Sequence, residues 1–191
     1  MESPIYVNWH TPNYAETASR LRLSLDEFRL PREIVELPNL GTWRRNVRRK
    51  PEFIISMLEK YRRRPVVWID ADAEIKVPPV LLGGLFGDVA ACRWTWPDRP
   101  ITEVMTNLVY FAPTPLARRF ARRWADAMSI DPYLSDQPVF NSVLARSRDI
   151  HFESLPISYS YILGIHDRFW PEVTPVIVQH QRSRQEDKSK L

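Results

Sequence analysis

Apolar and polar positions along the chain follow two periods in turn. Pro4 to Trp9 is a short apolar run that predicts a strand, and after a turn at Thr11-Pro12-Asn13-Tyr14 the residues Ala18, Leu21, Leu25 and Phe28 recur at helical spacing. Glu33 to Leu37 predicts a second strand, closed by Pro38, Asn39 and Gly41. After a basic stretch expected to be a loop, Pro51 suits the first turn of a helix whose Ile54, Ile55, Leu58 and Tyr61 face inward. Pro65 separates that helix from Val66-Val67-Trp68-Ile69, an apolar run ending abruptly in Asp70-Ala71-Asp72. Strand and helix alternate, which implies a largely parallel sheet flanked by helices.

The alternation continues downstream. Pro78-Pro79 precedes a short apolar helix ending near Gly83-Gly84, and Asp88 to Arg93 and Asn107 to Phe111 predict two further strands. Trp94 to Pro100 reads as a rigid loop whose tryptophans either pack or wall an acceptor site. After Pro115, the spacing of Ala117, Phe120, Ala121, Trp124 and Met128 predicts an amphipathic helix with Arg118, Arg119, Arg122 and Arg123 outside, open to a partner. Ser135 to Arg146 predicts a helix with Asp136 and Gln137 in its first turn. Leu155 to Tyr161 reads as extended, and Thr174 to Gln179 as a last strand that delivers His180. The expected organisation is one α/β domain over residues 1–181 with a polar, flexible tail over 182–191.

Composition narrows the class. At 191 residues the chain suffices for one core, and no stretch approaches the roughly 20 apolar residues of a membrane span or shows the layout of a secretory signal, so a cytoplasmic location is expected. The single cysteine, Cys92, excludes an internal disulfide and a cysteine zinc cage. A net charge of +4 is modest, but the arginines cluster at 44–49, 62–64, 118–123 and 182–184, which points to an anionic partner.

Asp70 and Asp72 carry the chemistry. An apolar strand presents both carboxylates at its carboxyl end, where ligands of open α/β sheets collect and where paired acids suit a divalent cation that also holds phosphates. Haloacid-dehalogenase-type phosphatases also place Asp-x-Asp after an apolar strand, but with Thr or Val where this chain has Glu74. Manganese accepts carboxylate, imidazole and phosphate oxygen together, so Asp70, Asp72 and His180 are a chemically coherent ligand set for Mn²⁺, or for Mg²⁺. His10, His151 and His166 have no comparable neighbours in sequence and are expected to be structural.

The chain resembles nucleotide-diphospho-sugar glycosyltransferases of the GT-A fold, especially the family 8 and family 77 types. The likeness lies in short motifs in a shared order: Thr11 to Tyr14 after the first strand, Lys50-Pro51 before the next helix, Trp68 to Asp72, Asp136-Gln137 with Asn141, and Val176 to His180. It implies a single Rossmann-like GT-A domain with a mostly parallel central sheet and an enzyme that transfers a hexosyl or pentosyl group from a nucleotide diphosphate, UDP above all. It assigns nucleotide-sugar contacts to Thr11, Asn13, Tyr14, Lys50, Asp70, Ala71 and Asn107, and metal contacts to Asp70, Asp72 and His180. Asp136 then touches sugar hydroxyls or acts as a base, and Gln137 turns its carbonyl toward the anomeric carbon; capping of the helix is the other reading of Asp136.

Two departures matter. Family 8 enzymes follow the late histidine with Gly and then Lys, whereas here Gln181-Arg182-Ser183-Arg184 follows, which makes Arg182 and Arg184 the candidate phosphate clamps. The acid after Gln is Pro138, so the stereochemical outcome does not carry over. The distributed basic clusters favour hydroxymethylated pyrimidines in DNA as the acceptor, as with some phage enzymes, with saccharide or lipid-linked glycans as the alternative. A basic nucleic-acid-binding module without catalysis is the alternative from another class.

Overall fold

The computed structural model describes residues 2–97 and 100–181. Strand β1 (Ile5–His10) leads through a 3₁₀ turn at Pro12–Tyr14 into helix α1 (Ala15–Glu27), and β2 (Arg32–Glu36) follows. Two helices come next, α2 (Trp43–Val47) and α3 (Lys50–Lys60), and then β3 (Val66–Ile69) and β4 (Ala73–Ile75). Strands β5 (Val89–Thr95) and β6 (Thr102–Phe111) precede helices α4 (Pro115–Ile130) and α5 (Asp136–Arg146). The chain closes with β7 (Phe152–Leu155), β8 (Tyr161–Ile162), helix α6 (His166–Phe169) and β9 (Ile177–Gln179).

Six strands form the central sheet in the order β2-β1-β3-β6-β5-β7. Strand β1 runs parallel to β2 and β3, and β5 parallel to β7, while β6 is antiparallel to both its neighbours. The architecture is therefore the expected α/β one. Alternate strand residues feed two cores, as the two-residue period of a sheet buried on both faces requires. Val7, Trp9, Trp68 and Phe111 pack against α3, α4 and α5 residues such as Ile54, Phe120 and Phe140. Tyr6, Val67, Ile69 and Tyr110 pack on the other face with Leu21 and Leu25 of α1 and with Ile75 and Ile177. Those last two belong to a small sheet ordered β4-β9-β8, which lies beside α1.

Several local expectations need correction. The basic stretch is helical rather than a loop, because Thr42 accepts a capping bond from Arg45 N–H and arginine sits well in a helix. Trp94 and Thr95 belong to β5, and Trp94 is buried against Trp96, His166 and Trp170, so these rings pack. Asn107 sits within β6 rather than at its start. The predicted extended run at 155–161 is broken by a 3₁₀ turn at Ile157–Ser160. Cys92 is buried, and burial pushes its thiol up to about 12, which makes it inert.

Candidate active site

The parallel arrangement of β1 and β3 brings Thr11 and Asp70 to the same edge of the sheet. Beyond Ile69 the β3 strand stops, but its antiparallel neighbour β6 continues past it by residues 102–107. That overhang has an edge without a strand partner, and α5 covers it. Asn141 donates to Val104 O (2.8 Å) and accepts from Val104 N–H (2.7 Å), imitating the missing strand. Gln137 accepts from Thr106 N–H at 3.4 Å and donates to Glu103 Oε2 at 2.6 Å. The Gln137 carbonyl, expected to face a sugar, here accepts a bond that completes the β6 edge.

Lys50 links the two acids of this floor. The side chain of this first residue of α3 is 5% exposed, and its ammonium lies 2.6 Å from Asp136 Oδ2, 3.1 Å from Asp70 Oδ1 and 3.2 Å from Thr106 O. An ammonium has three donors, and protein acceptors engage all three. Burial alone lowers the Lys50 pKa, but attraction to Asp136 and Asp70 outweighs it, and the net shift is upward. Lys50, expected among the nucleotide-sugar contacts, is here a buried cation that joins two carboxylates.

Each acid has further support. Asp70 Oδ1 accepts from Trp68 Nε1 at 2.7 Å, and its backbone N–H donates to Asn107 O at 2.9 Å. Asp136 is 4% exposed and accepts from Thr106 Oγ1 at 2.9 Å, while Trp124 Nε1 donates to its carbonyl at 3.1 Å. The bonds of its carboxylate run across to α3 and β6, so helix capping is not its role, and Ser135 before it makes no side-chain cap bond either.

The second acid lies on the small sheet. Ala73 pairs with Gln179, and one step outward His180 N–H donates to Asp72 O at 3.0 Å, so Asp72 and His180 face each other in register. Alternation puts Asp72 and Glu74 on the face of β4 opposite to the buried Ala73 and Ile75. His180 Nε2 lies 2.9 Å from Glu74 Oε2, and Lys76 Nζ 2.6 Å from Glu74 Oε1. Burial pulls the Glu74 carboxyl up, and the bonds from Lys76 and His180 outweigh it, leaving it below the usual carboxylate range. Sequence reading missed Glu74; its spacing two residues after Asp72 was the available signal.

Two carboxylates and an imidazole suit Mn²⁺ as a donor set, and the β4–β9 register brings Asp72 and His180 together. Among the described residues, no three Asp, Glu, His or Cys side chains are gathered into one ligand cluster. Asp70 is turned to Lys50 and Trp68, and His180 to Glu74.

At the neighbouring β1 end, Thr11 Oγ1 donates to Asn13 Oδ1 at 2.6 Å and Thr11 O accepts from Tyr14 N–H at 2.8 Å. Tyr14 is partly exposed at the head of α1, and Ala71 is the middle of the Asp70–Asp72 turn. Asn107 Oδ1 accepts from Ser160 Oγ at 2.6 Å. Arg182 and Arg184 lie outside the described residues, as does the rest of the tail over 182–191.

Of the three histidines expected to be structural, His10 and His166 are buried and His151 is exposed. His10 is buried with Arg22 Nη2 at 2.9 Å from its Nε2, and His166 accepts the Ile162 N–H at 2.9 Å. The backbone N–H of His151 donates to Asp88 Oδ2 at 3.1 Å.

This arrangement of sheet and helices is shared with glycosyltransferases of known structure. The chain is similar to the crystal structure of a glycosyltransferase involved in the glycosylation of the major capsid of PBCV-1, with a TM-score of 0.69, 14% identity and 100% of both chains covered. It is also similar to the glycosyltransferase GlyE of Streptococcus pneumoniae TIGR4, with TM-scores of 0.63 to the apo form and 0.60 to a second structure, at 12% identity in both cases. The match spans 92% of this chain and 53% of GlyE, about half of that protein's length. At these identities the likeness is one of fold. No protein-family model and no curated protein matches the chain in sequence.

Proposed function

We propose that the protein is a divalent-metal-dependent glycosyltransferase that moves a sugar from a nucleotide diphosphate, UDP above all, to a hydroxyl acceptor. The observation that carries this reading is the chain of contacts from Asp70 through Lys50 to Asp136 at the carboxyl edge of a glycosyltransferase-like sheet. Asp70, Asp72 and His180 would hold the cation, which supplies Lewis-acid stabilisation of charge on the departing diphosphate. The turn at Thr11, Asn13 and Tyr14 offers a platform for the nucleobase. Asp136, kept in place by Lys50 and Thr106, would meet sugar hydroxyls through the carboxylate oxygen that those two do not engage. Gln137 and Asn141 hold the β6 edge that forms the floor.

The favoured acceptor is a saccharide or lipid-linked glycan. The reading of DNA rests on dispersed arginines, and many of these serve the fold. Arg123 forms a two-point pair with Asp149 (2.7 and 3.0 Å), Arg122 lies 3.4 Å from Glu59, and Arg118 donates to Arg62 O at 2.8 Å. Titration calorimetry of UDP with and without Mn²⁺ tests the donor assignment. Metal-dependent binding that Tyr14→Ala weakens is expected; metal-independent binding, or none to any nucleoside diphosphate, overturns it.

A further inference from the structure

Large apolar side chains are exposed in two neighbouring segments, the first of them rich in arginine. Helix α2 and the loop before it present Leu40 and Trp43, with Trp43 48% exposed, and the α4–α5 junction presents Ile130 and Tyr133 at 82% and 78%, with Leu134 beside them. Arg48 joins the two segments. Its Nη1 donates to Asp131 O at 2.6 Å and Leu134 O at 3.0 Å, and its Nη2 to Met128 O. The joined segments lead directly into the two halves of the candidate site, since Lys50 follows the first and Asp136 the second.

Monomeric surfaces scatter single hydrophobic residues, whereas a group of five large ones beside an active site marks an interaction surface. Its chemistry selects the partner. Arg44 and Arg45 of α2 are exposed and residues 38–51 hold no acid, while Arg48 and Lys50 are engaged within the fold and the α4–α5 junction carries Asp131. Tryptophan and tyrosine prefer the headgroup level of a bilayer, aliphatic side chains gain by entering the acyl boundary, and arginines gain from anionic headgroups. A nucleic-acid backbone would use the arginines but offers exposed Ile and Leu no comparable gain unless the duplex is kinked. Phe86, 90% exposed, lies before β5 at the opposite edge of the sheet, in a stretch without arginine over residues 77–92.

We infer that the surface formed by α2, its preceding loop and the α4–α5 junction docks on an anionic lipid membrane and sets the candidate active site against an acceptor carried there. This rests on the glycosyltransferase reading and names the surface that serves it.

Sedimentation with vesicles tests it, using phosphatidylcholine alone and phosphatidylcholine with phosphatidylglycerol. The parent protein is expected to bind the anionic vesicles, more weakly as salt rises. The pairs Ile130→Asp/Tyr133→Ser and Arg44→Glu/Arg45→Glu should each bind roughly tenfold or more weakly. Arg118→Glu/Arg122→Glu, on α4, should bind as the parent does. Donor hydrolysis by the Ile130/Tyr133 pair should equal that of the parent, which shows that the fold is intact. Absence of vesicle binding, or binding indifferent to both the Ile130/Tyr133 and the Arg44/Arg45 pair, overturns the inference. Tighter binding to duplex DNA that the same pairs abolish also overturns it. Hydrolysis without vesicle binding removes only the docking surface, whereas vesicle binding without hydrolysis of any nucleotide sugar removes the transferase reading.

Discussion

The Lys50 ammonium lies 2.6 Å from Asp136 Oδ2, and both side chains are almost fully buried. Helix α3 is thereby fastened to the first turn of α5, and Asp70 joins from the end of β3. A buried pair is worth little over an apolar replacement, but losing one partner leaves a charge without compensation. Lys50→Met should therefore cost about 3–5 kcal/mol of stability. The double variant Lys50→Met/Asp136→Leu should lose less than the sum of its single changes. Chemical denaturation of the four proteins gives the coupling directly, and strict additivity would show that the pair is not coupled.

Glu74 should matter through His180. Carboxylates that orient a metal-binding imidazole typically change metal affinity by about 10–100-fold when removed. Glu74→Ala is expected to weaken Mn²⁺ binding in that range while leaving the melting temperature close to that of the parent, since the site is partly exposed. Electron paramagnetic resonance of free Mn²⁺ measures it; unchanged affinity would place Glu74 outside the metal's surroundings.

The sequence showed the strands, the helices and the candidate acids because each rests on local pattern. Val66 to Asp72 is read from apolar residues followed by charge, and α4 from helical spacing, which the burial of Phe120 and Trp124 bears out. Partnerships between distant segments have no such local signal. Lys50 reads as a nucleotide-sugar contact, and only the fold shows that α5 supplies it with a counter-charge. Gln137 reads as a group facing the sugar, and only the overhang of β6 shows the edge that it and Asn141 complete. Arg118, Arg122 and Arg123 form the expected outer stripe, but acids and carbonyls of neighbouring segments occupy them.

Acid should destabilise the protein through His166. This fully buried imidazole packs with Trp94 and Trp170, and burial depresses its pKa to about 4 from 6.5. Its folded-state value lies below the unfolded one, so the unfolded chain takes up the proton first. The stability present above pH 6.5 is then lost as pH falls toward 4, by an amount on the order of 3 kcal/mol. Melting curves between pH 7.5 and 4 should show this slope, and His166→Leu should flatten it. An unchanged slope in that variant would assign the acid sensitivity to other groups.

The central claim is that the carboxylates after β3 and the histidine after β9 form the metal site of a sugar-transfer enzyme. Release of nucleoside diphosphate from a panel of nucleotide sugars, with and without Mn²⁺, measures it in the parent, Asp72→Asn and His180→Ala proteins. The account predicts Mn²⁺-stimulated release by the parent on at least one donor and its loss in both variants, with melting temperatures preserved. Equal release by the parent and both variants, or release that Mn²⁺ does not affect, would contradict it.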